Sequence, residues 1–198
     1  MTLQNSSNKV AFRIYNFNSK FLGSHRVPIV DGNNVIGVVT QSDVIVVLNE
    51  HKDKWSQIAN TQLKDLGTKI VHKVITVNKN KTAIESFSTF FEKGVNGVAV
   101  IDDDGKLISN LSPSDLRGLD GRSFEYLLDS VSDYIKVTRS RKGEAPDKYI
   151  GFVKANDTLG HAVQVLIDQH VHRIYVVDDQ LHPIGVVSLT DVFDLIMN

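Results

Sequence analysis

The apolar and polar positions of this chain fall into one pattern that recurs three times. A run rich in Val and Ile meets a short polar turn, a second such run follows, and the second run closes on a Ser or Thr three residues ahead of an Asp. In the first copy, His25-Arg26-Val27-Pro28-Ile29-Val30-Asp31 leads through Gly32, Asn33 and Asn34 to Val35-Ile36-Gly37-Val38-Val39-Thr40 and Asp43. In the second, Asn96-Gly97-Val98-Ala99-Val100-Ile101-Asp102 leads to Leu107-Ile108-Ser109-Asn110-Leu111-Ser112 and Asp115. In the third, His172-Arg173-Ile174-Tyr175-Val176-Val177-Asp178 leads to Pro183-Ile184-Gly185-Val186-Val187-Ser188, Thr190 and Asp191. The closing aspartates lie 72 and 76 residues apart, too long for a solenoid repeat, so the unit is a small domain in tandem. Each apolar run is Val/Ile-rich nearly throughout, which predicts strands covered on both faces, with Asp and Gly shaping the turn between them.

What flanks each pair of runs is helical. Val44, Val47 and Leu48 after the first copy, and Val192, Leu195 and Ile196 after the third, have helical spacing. Ahead of the second copy, Val74 to Val77 reads as a strand, and residues 82–93 as a helix with Ala83, Ile84, Phe87, Phe90 and Phe91 on its apolar face. Ahead of the third, residues 149–153 read as a strand and 158–170 as a helix, with Ala162, Val163, Leu166 and Ile167 inward and Asp157 or Thr158 as cap. The predicted unit is strand, helix, strand, strand, helix, in an α/β protein. Boundaries follow: an incomplete unit at 1–51, a connecting segment at 52–70, a second unit at 71–120, a connecting segment at 121–148 and a third unit at 149–198. The first copy is incomplete because a helix at 10–22, weakened by Asn16, Asn18 and Ser19, has no strand before it. Trp55, Ile58, Leu63 and Leu66 make residues 52–67 a connecting helix packed on the module.

Composition narrows the chemistry. A net charge of −1 gives no overall field for nucleic acid or an anionic membrane, so any anion site is local. With no cysteine, a disulfide framework, a thiol nucleophile and a thiolate zinc site are excluded. No apolar stretch spans a bilayer and residues 1–8 are polar, so the expected location is cytoplasm or nucleus. His161, His170, His172 and His182 lack a regular ligand spacing, and no metal is expected. No nucleophile elbow or Walker loop occurs, so no catalytic residue is assigned. Arg139, Arg141, Lys142, Gly143, Glu144 and Pro146 read as a solvated loop, with a phosphate-facing or partner-binding loop as the lesser alternative.

The Ser/Thr-x-x-Asp step has a purely structural reading. Ser or Thr at a helix N-cap with an acidic residue three positions on is a capping box, and Pro113 then occupies the favoured first helical position. The repeated His-Arg run and the Gly-Val-Val-[Ser/Thr]-x-[Ser/Thr]-Asp run also resemble CBS (cystathionine-β-synthase-type) domains. The stretch from Val171 to Asp194 is most similar to the gamma subunits of SNF1/AMP-activated protein kinases and their plant-type relatives. The resemblance implies tandem CBS domains paired into a CBS module, with an adenine nucleotide (AMP, ADP or ATP) as regulatory ligand between units. It also implies kinase alpha- and beta-type subunits as partners.

By that resemblance, Asp43, Asp115 and Asp191 are candidates for the ribose, since a carboxylate accepts from both ribose hydroxyls. Thr40, Ser112, Ser188 and Thr190 are candidates for sugar or phosphate. His25, Arg26, His172 and Arg173 are candidates for phosphate, which suits planar guanidinium donors. Thr76 and Lys154 stand on the strands that approach the base, while Val77 and Val153 beside them read as core. Asn96-Gly97 replaces His-Arg in the second copy, so a phosphate there needs basic residues from another unit. Copies one and two are expected to pair. Copy three then lacks a partner, which predicts a homodimer or a chain shortened from four units. A scaffold that has kept the fold and lost its ligand is the alternative function.

Overall fold

A computed structural model describes residues 26–117, 119–121, 124–145 and 150–197. The predicted helix at 10–22 and His25 lie outside the described residues. Unit one is an antiparallel hairpin, β1 (Arg26–Asp31) and β2 (Asn34–Thr40), followed by helix α1 (Gln41–Glu50). Unit two comprises β3 (Thr76–Asn78), α4 (Ala83–Lys93), β4 (Val98–Ile101) and β5 (Leu107–Leu111), with α2 (Ser56–Ala59) and α3 (Leu63–Leu66) in the segment before it. After α5 (Val131–Arg141), unit three comprises β6 (Phe152–Lys154), α6 (Leu159–Asp168), β7 (Arg173–Val177), β8 (Pro183–Ser188) and α7 (Leu189–Met197). Units two and three each hold a three-stranded sheet, ordered β3-β4-β5 and β6-β7-β8, whose first pair is parallel and second antiparallel.

Alternation along the strands explains why they are apolar at every position. On β7, Ile174 and Val176 face the core built with Ala162, Val163 and Leu166 of α6, while Tyr175 and Val177 face the other way. On β4, Val98 and Val100 join the core of Val77 and Ala83, and Ala99 turns to the opposite face. Those opposite faces meet: Ala99 and Leu107 pack against Tyr175 and Val177 in one shared core. Successive strand residues point to opposite sides, so a helix layer on one side and a second sheet on the other require an unbroken apolar run.

Units two and three are therefore the pair, which corrects the expectation that copy one pairs with copy two. Pattern alone shows that both faces are covered and is silent on which sheet covers the second one. Unit one instead lays α1 on unit three: Ile45 is buried in that core with Val44 and Leu48 against it, and Asn49 Nδ2 donates to Gln164 Oε1 at 2.9 Å. Val47, expected inward, is 40% exposed, and Ile45 takes its place.

The connecting segments tie the pair together by exchange. The one before unit two bonds to unit three, with Leu63 N–H donating to Asp157 O at 2.9 Å and Leu159 N–H to Thr61 O at 3.0 Å. The one before unit three bonds to unit two, with Val131 N–H donating to Lys81 O at 2.7 Å and Ala83 N–H to Asp129 O at 2.9 Å. Residues 52–67 are thus packed as expected, with Leu63 and Ala59 fully buried, but they form short separate turns and not one helix. Leu63 and Lys64 amides bond to the neighbouring unit, which holds the chain in broken turns.

Two further expectations change. The helix after Asp115 is only a 3₁₀ turn, Pro113–Leu116, since Gly118 and Gly121 follow at once and disfavour continuation. On α4, Ala83, Phe87 and Phe90 pack inward, but Ile84 is 46% and Phe91 95% exposed, so the apolar face is narrower than the pattern suggests. Thr158, rather than Asp157, caps α6, its hydroxyl accepting from His161 N–H at 3.2 Å. No described helix is long and apolar enough to cross a membrane.

Candidate functional site

Each Ser/Thr-x-x-Asp step is a capping arrangement in the folded chain. Asp43 Oδ2 accepts from Thr40 N–H and from its hydroxyl, both at 2.8 Å. Those bonds, backbone first, hold the Asp43 carboxyl below its ordinary range. Asp115 Oδ2 accepts from Ser112 N–H at 2.8 Å and its hydroxyl at 3.0 Å. Asp191 Oδ2 does the same with Ser188, at 2.7 and 2.6 Å. In all three the second oxygen, Oδ1, is left for other partners, and there the copies diverge.

At unit three, His72 Nε2 stands 3.0 Å from Asp191 Oδ1. The imidazole arrives from the segment before unit two, whose backbone pairs with β8: His72 N–H donates to Val186 O and Val186 N–H to His72 O, both at 3.0 Å. Gly185 permits that approach, because a Cβ there would run into the Val71 side chain. Beside this contact lies a slot of about 250 Å³ lined by Leu63, Lys64, Gly67, Thr68, Val71, Ala155, Val176 and Ile184. Its walls are mainly apolar, and Val71 joins it to the His72–Asp191 pair. Thr190 sits half-buried in the first turn of α7.

At unit two, a buried arginine replaces the missing basic pair. Arg139, only 2% exposed, comes from α5. Its Nη2 donates to Asn110 O and Asn110 Oδ1, both at 2.9 Å, and its Nη1 to Ser109 Oγ at 3.2 Å. Its Nε lies 4.0 Å from Asp115 Oδ1. The expected solvated loop is thus wrong for Arg139, which α5 carries inward with Tyr134 and Ile135. Tyr134 donates to Asp115 O at 2.9 Å, and burial first, then the Asp115 charge, pushes its phenol up to about 12.

Arg173 supplies a second cation from unit three. A Cβ on Gly97 would sit 2.7 Å from its Nη1, so the Asn96-Gly97 replacement opens the space that the Arg173 guanidinium fills. Burial lowers the Arg173 pKa, with the Tyr175 and Asp191 charges opposing. Tyr175, two residues on, is 2% exposed, and its hydroxyl has no hydrogen-bond partner among the described residues. Desolvation raises its phenol strongly, Arg173 opposes and Asp115 adds. Charge effects thus run from the His72–Asp191 pair through Arg173 and Tyr175 to Asp115, which Arg139 meets, and so link units two and three.

Several sequence candidates stand elsewhere. His172 and Arg26 are exposed at strand starts, Thr76 is exposed at the start of β3, and Asp43 is exposed beside a half-buried Thr40. Lys154 is held on the surface by Asp179 Oδ1 at 2.6 Å, which raises its pKa. Among the described residues no three His, Cys, Asp or Glu side chains are grouped to hold a metal ion; His182 lies instead on Asp178, Nδ1 to Oδ2 at 2.9 Å. Sequence reasoning missed Arg139, His72 and the slot residues. The cue for Arg139 was available: its place one helical turn after Ile135, on the inward face of α5.

Comparisons with known proteins agree with this architecture. The CBS domain family model matches residues 9–50, 63–120 and 143–198. Protein sds23 of Neosartorya fischeri is 29% identical over 166 residues, covering 79% of this chain and 31% of the relative. Protein SDS23 of Pyricularia oryzae is 30% identical over 166 residues, covering 79% and 30%. This chain thus spans about a third of the length of the curated relatives it matches. A crystal structure of a Methanocaldococcus jannaschii protein, proposed as an archaeal homolog of g-AMPK, superposes with a TM-score of 0.60 at 22% identity, covering 88% of this chain and 60% of that one. The CBS domain pair of protein MJ0100, in complex with 5-methylthioadenosine and S-adenosyl-L-methionine, gives 0.51 at 16% identity, covering 69% and 99%.

Proposed function

Because the chain belongs to the CBS-domain family, we propose that it is a non-catalytic regulatory module that binds an adenine nucleotide between units two and three, as a gamma-like subunit of a SNF1/AMPK-type protein kinase. The observation that carries the nucleotide reading is the apolar slot lined by Val71, the chain neighbour of the His72 whose imidazole meets Asp191. A purine needs flat apolar walls, a ribose needs acceptors, and a phosphate needs cations. Val71, Val176 and Ile184 in the slot would supply the first; outside its lining, Asp191 and Asp115 would supply the second, and Arg173 and Arg139 the third. A carboxylate has about four acceptor positions. Asp191 uses two on Ser188 and one on His72, so a ribose held through both hydroxyls displaces His72 or shares its oxygen. The adenosyl ligands in the MJ0100 pair support the ligand class, and the g-AMPK comparison supports the kinase setting. Binding would bias the module between two arrangements through differential affinity.

The second reading, a scaffold without ligand, has one observation in its favour: all three aspartates already cap their own chain. Melting temperature followed against AMP, ADP, ATP and S-adenosylmethionine separates the two. A ligand at 100 times its Kd adds about 2.7 kcal/mol. Asp191→Asn is expected to weaken the tightest response by at least tenfold in Kd. No stabilisation by any adenosyl compound refutes the nucleotide reading and leaves the scaffold.

A further inference from the structure

Unit one carries the same sheet face that units two and three bury against each other, and here it is open. In unit three the face is formed by the cross-strand pairs Tyr175↔Val186 and Val177↔Pro183, and in unit two by Ala99↔Asn110 and Ile101↔Leu107. The matching pairs in unit one are Pro28↔Val38 and Val30↔Val35, with the register shift one step earlier at the same place in all three hairpins. Tyr175 is 2% exposed, Val177 1%, Ala99 0% and Leu107 9%, whereas Val30 is 54%, Val35 66% and Val38 53% exposed. The reverse face of the unit-one hairpin, Val27, Ile29 and Val39, is half-buried. The paired apolar positions that meet a second CBS sheet elsewhere in this chain are therefore the exposed ones, and those of the reverse face are not. Ile36 is a useful contrast: at 56% it is as exposed as its counterpart Ile184 at 53%, so its exposure says nothing about a missing partner.

We propose that this face docks on the unit-one hairpin of a second copy of the chain, giving a twofold dimer. The occupant is argued from the interface already present. Units two and three, copies of one repeat, cover each other with equivalent residues, and their β-turns abut, Leu107 N–H donating to Leu181 O at 2.9 Å. Two unit-one hairpins can meet in the same way, each residue's contact reciprocated by its twin, as an isologous interface requires. The turn that would abut its twin, Asp31 to Asn34, carries one charge and two amides, and so opposes the approach weakly. A contiguous apolar face of Pro28, Val30, Val35 and Val38 is the kind of surface that soluble monomers rarely leave open.

Sedimentation or light scattering of the full chain at micromolar concentration tests this. The wild type is expected at twice the monomer mass, Val30→Glu and Val38→Glu at monomer mass, and Ile36→Glu at the wild-type mass. Circular dichroism of each variant checks that units two and three remain folded. Because the chain has no cysteine, Val35→Cys gives a second reading that leaves the face apolar. A short bismaleimide is expected to link it into a covalent dimer, and Ile36→Cys at least tenfold less. A wild type that stays monomeric at tens of micromolar overturns the proposal, whether the face then proves open to thiol reagents at Val35→Cys or shielded by residues 1–25. A dimer that survives both glutamates overturns it equally.

Discussion

Replacing Arg139 by Ala tests whether the polar group between the units is a structural keystone. Arg139 is 2% exposed and makes two bonds of 2.9 Å to Asn110 and one of 3.2 Å to Ser109, with Asp115 at 4.0 Å. Each bond from a charged donor contributes about 1.5–3 kcal/mol. Removing one member of a buried ionic group costs about 3–5 kcal/mol, because the partners stay behind without their cation. The Asp115 side chain is only 13% exposed, so water replaces the guanidinium poorly there. The expected loss for Arg139→Ala is about 4 kcal/mol, read by urea unfolding followed through circular dichroism. With a slope near 2 kcal/mol per molar, the midpoint falls by about 2 M. Arg139→Lys restores the charge but not the fork, so it should recover about half. A loss under about 1 kcal/mol for Ala, or full recovery by Lys, would show that the fork to Asn110 and Ser109 does not hold the site.

Two other consequences are open to the same measurements. Gly185→Ala places a Cβ against Val71 on the inner face of the slot, so it should destabilise by about 1–3 kcal/mol and weaken any adenosyl ligand; an unchanged melting temperature and Kd would sink the close-approach account. His182 is raised above its ordinary value, first by its bond to Asp178, with desolvation opposing and the bond to Asp104 O adding. A group raised by folding contributes fully below its unfolded pKa of about 6.5 and loses that contribution as pH rises through the folded value. The melting-temperature gap between wild type and His182→Gln should therefore be larger at pH 5.5 than at pH 8.5, and a gap independent of pH would contradict the assignment.

Much of the fold could be read from the chain because each strand must satisfy two neighbours at once. Ile174 and Val176 serve the helices, Tyr175 and Val177 the other sheet, and only an unbroken apolar run does both. The caps were legible for a local reason: Thr40 with Asp43, and Ser112 with Asp115, close rings of a few residues. Pairing was not legible, because Val30 and Val177 look alike in sequence and differ only in what lies opposite. The same holds for Leu63, whose amide bonds to Asp157 nearly a hundred residues away. Arg139 was hidden by composition: a basic, glycine-containing stretch reads as solvent-facing, yet one helical turn carries its guanidinium under β5.

The inequality of the three copies follows from the way units two and three divide the work. Unit two has lost its own basic residue at Gly97, and the vacated volume admits Arg173 from unit three. The segment following unit two returns Arg139 to that same unit and lays Tyr134 on Asp115. A chain of net charge −1 thereby concentrates two guanidinium groups in one place. Both are already largely withdrawn from water by folding. A phosphate reaching them would meet cations already partly desolvated, and charge-assisted bonds are stronger in such a setting than at the surface. Exposed Arg26 in unit one has no comparable shelter, and Asp43 is turned to Thr40 at the start of its own helix. Sheltering requires a second sheet, so under the proposed reading an anionic ligand belongs with the pair of units two and three, and unit one reaches the same condition only when its open face is covered.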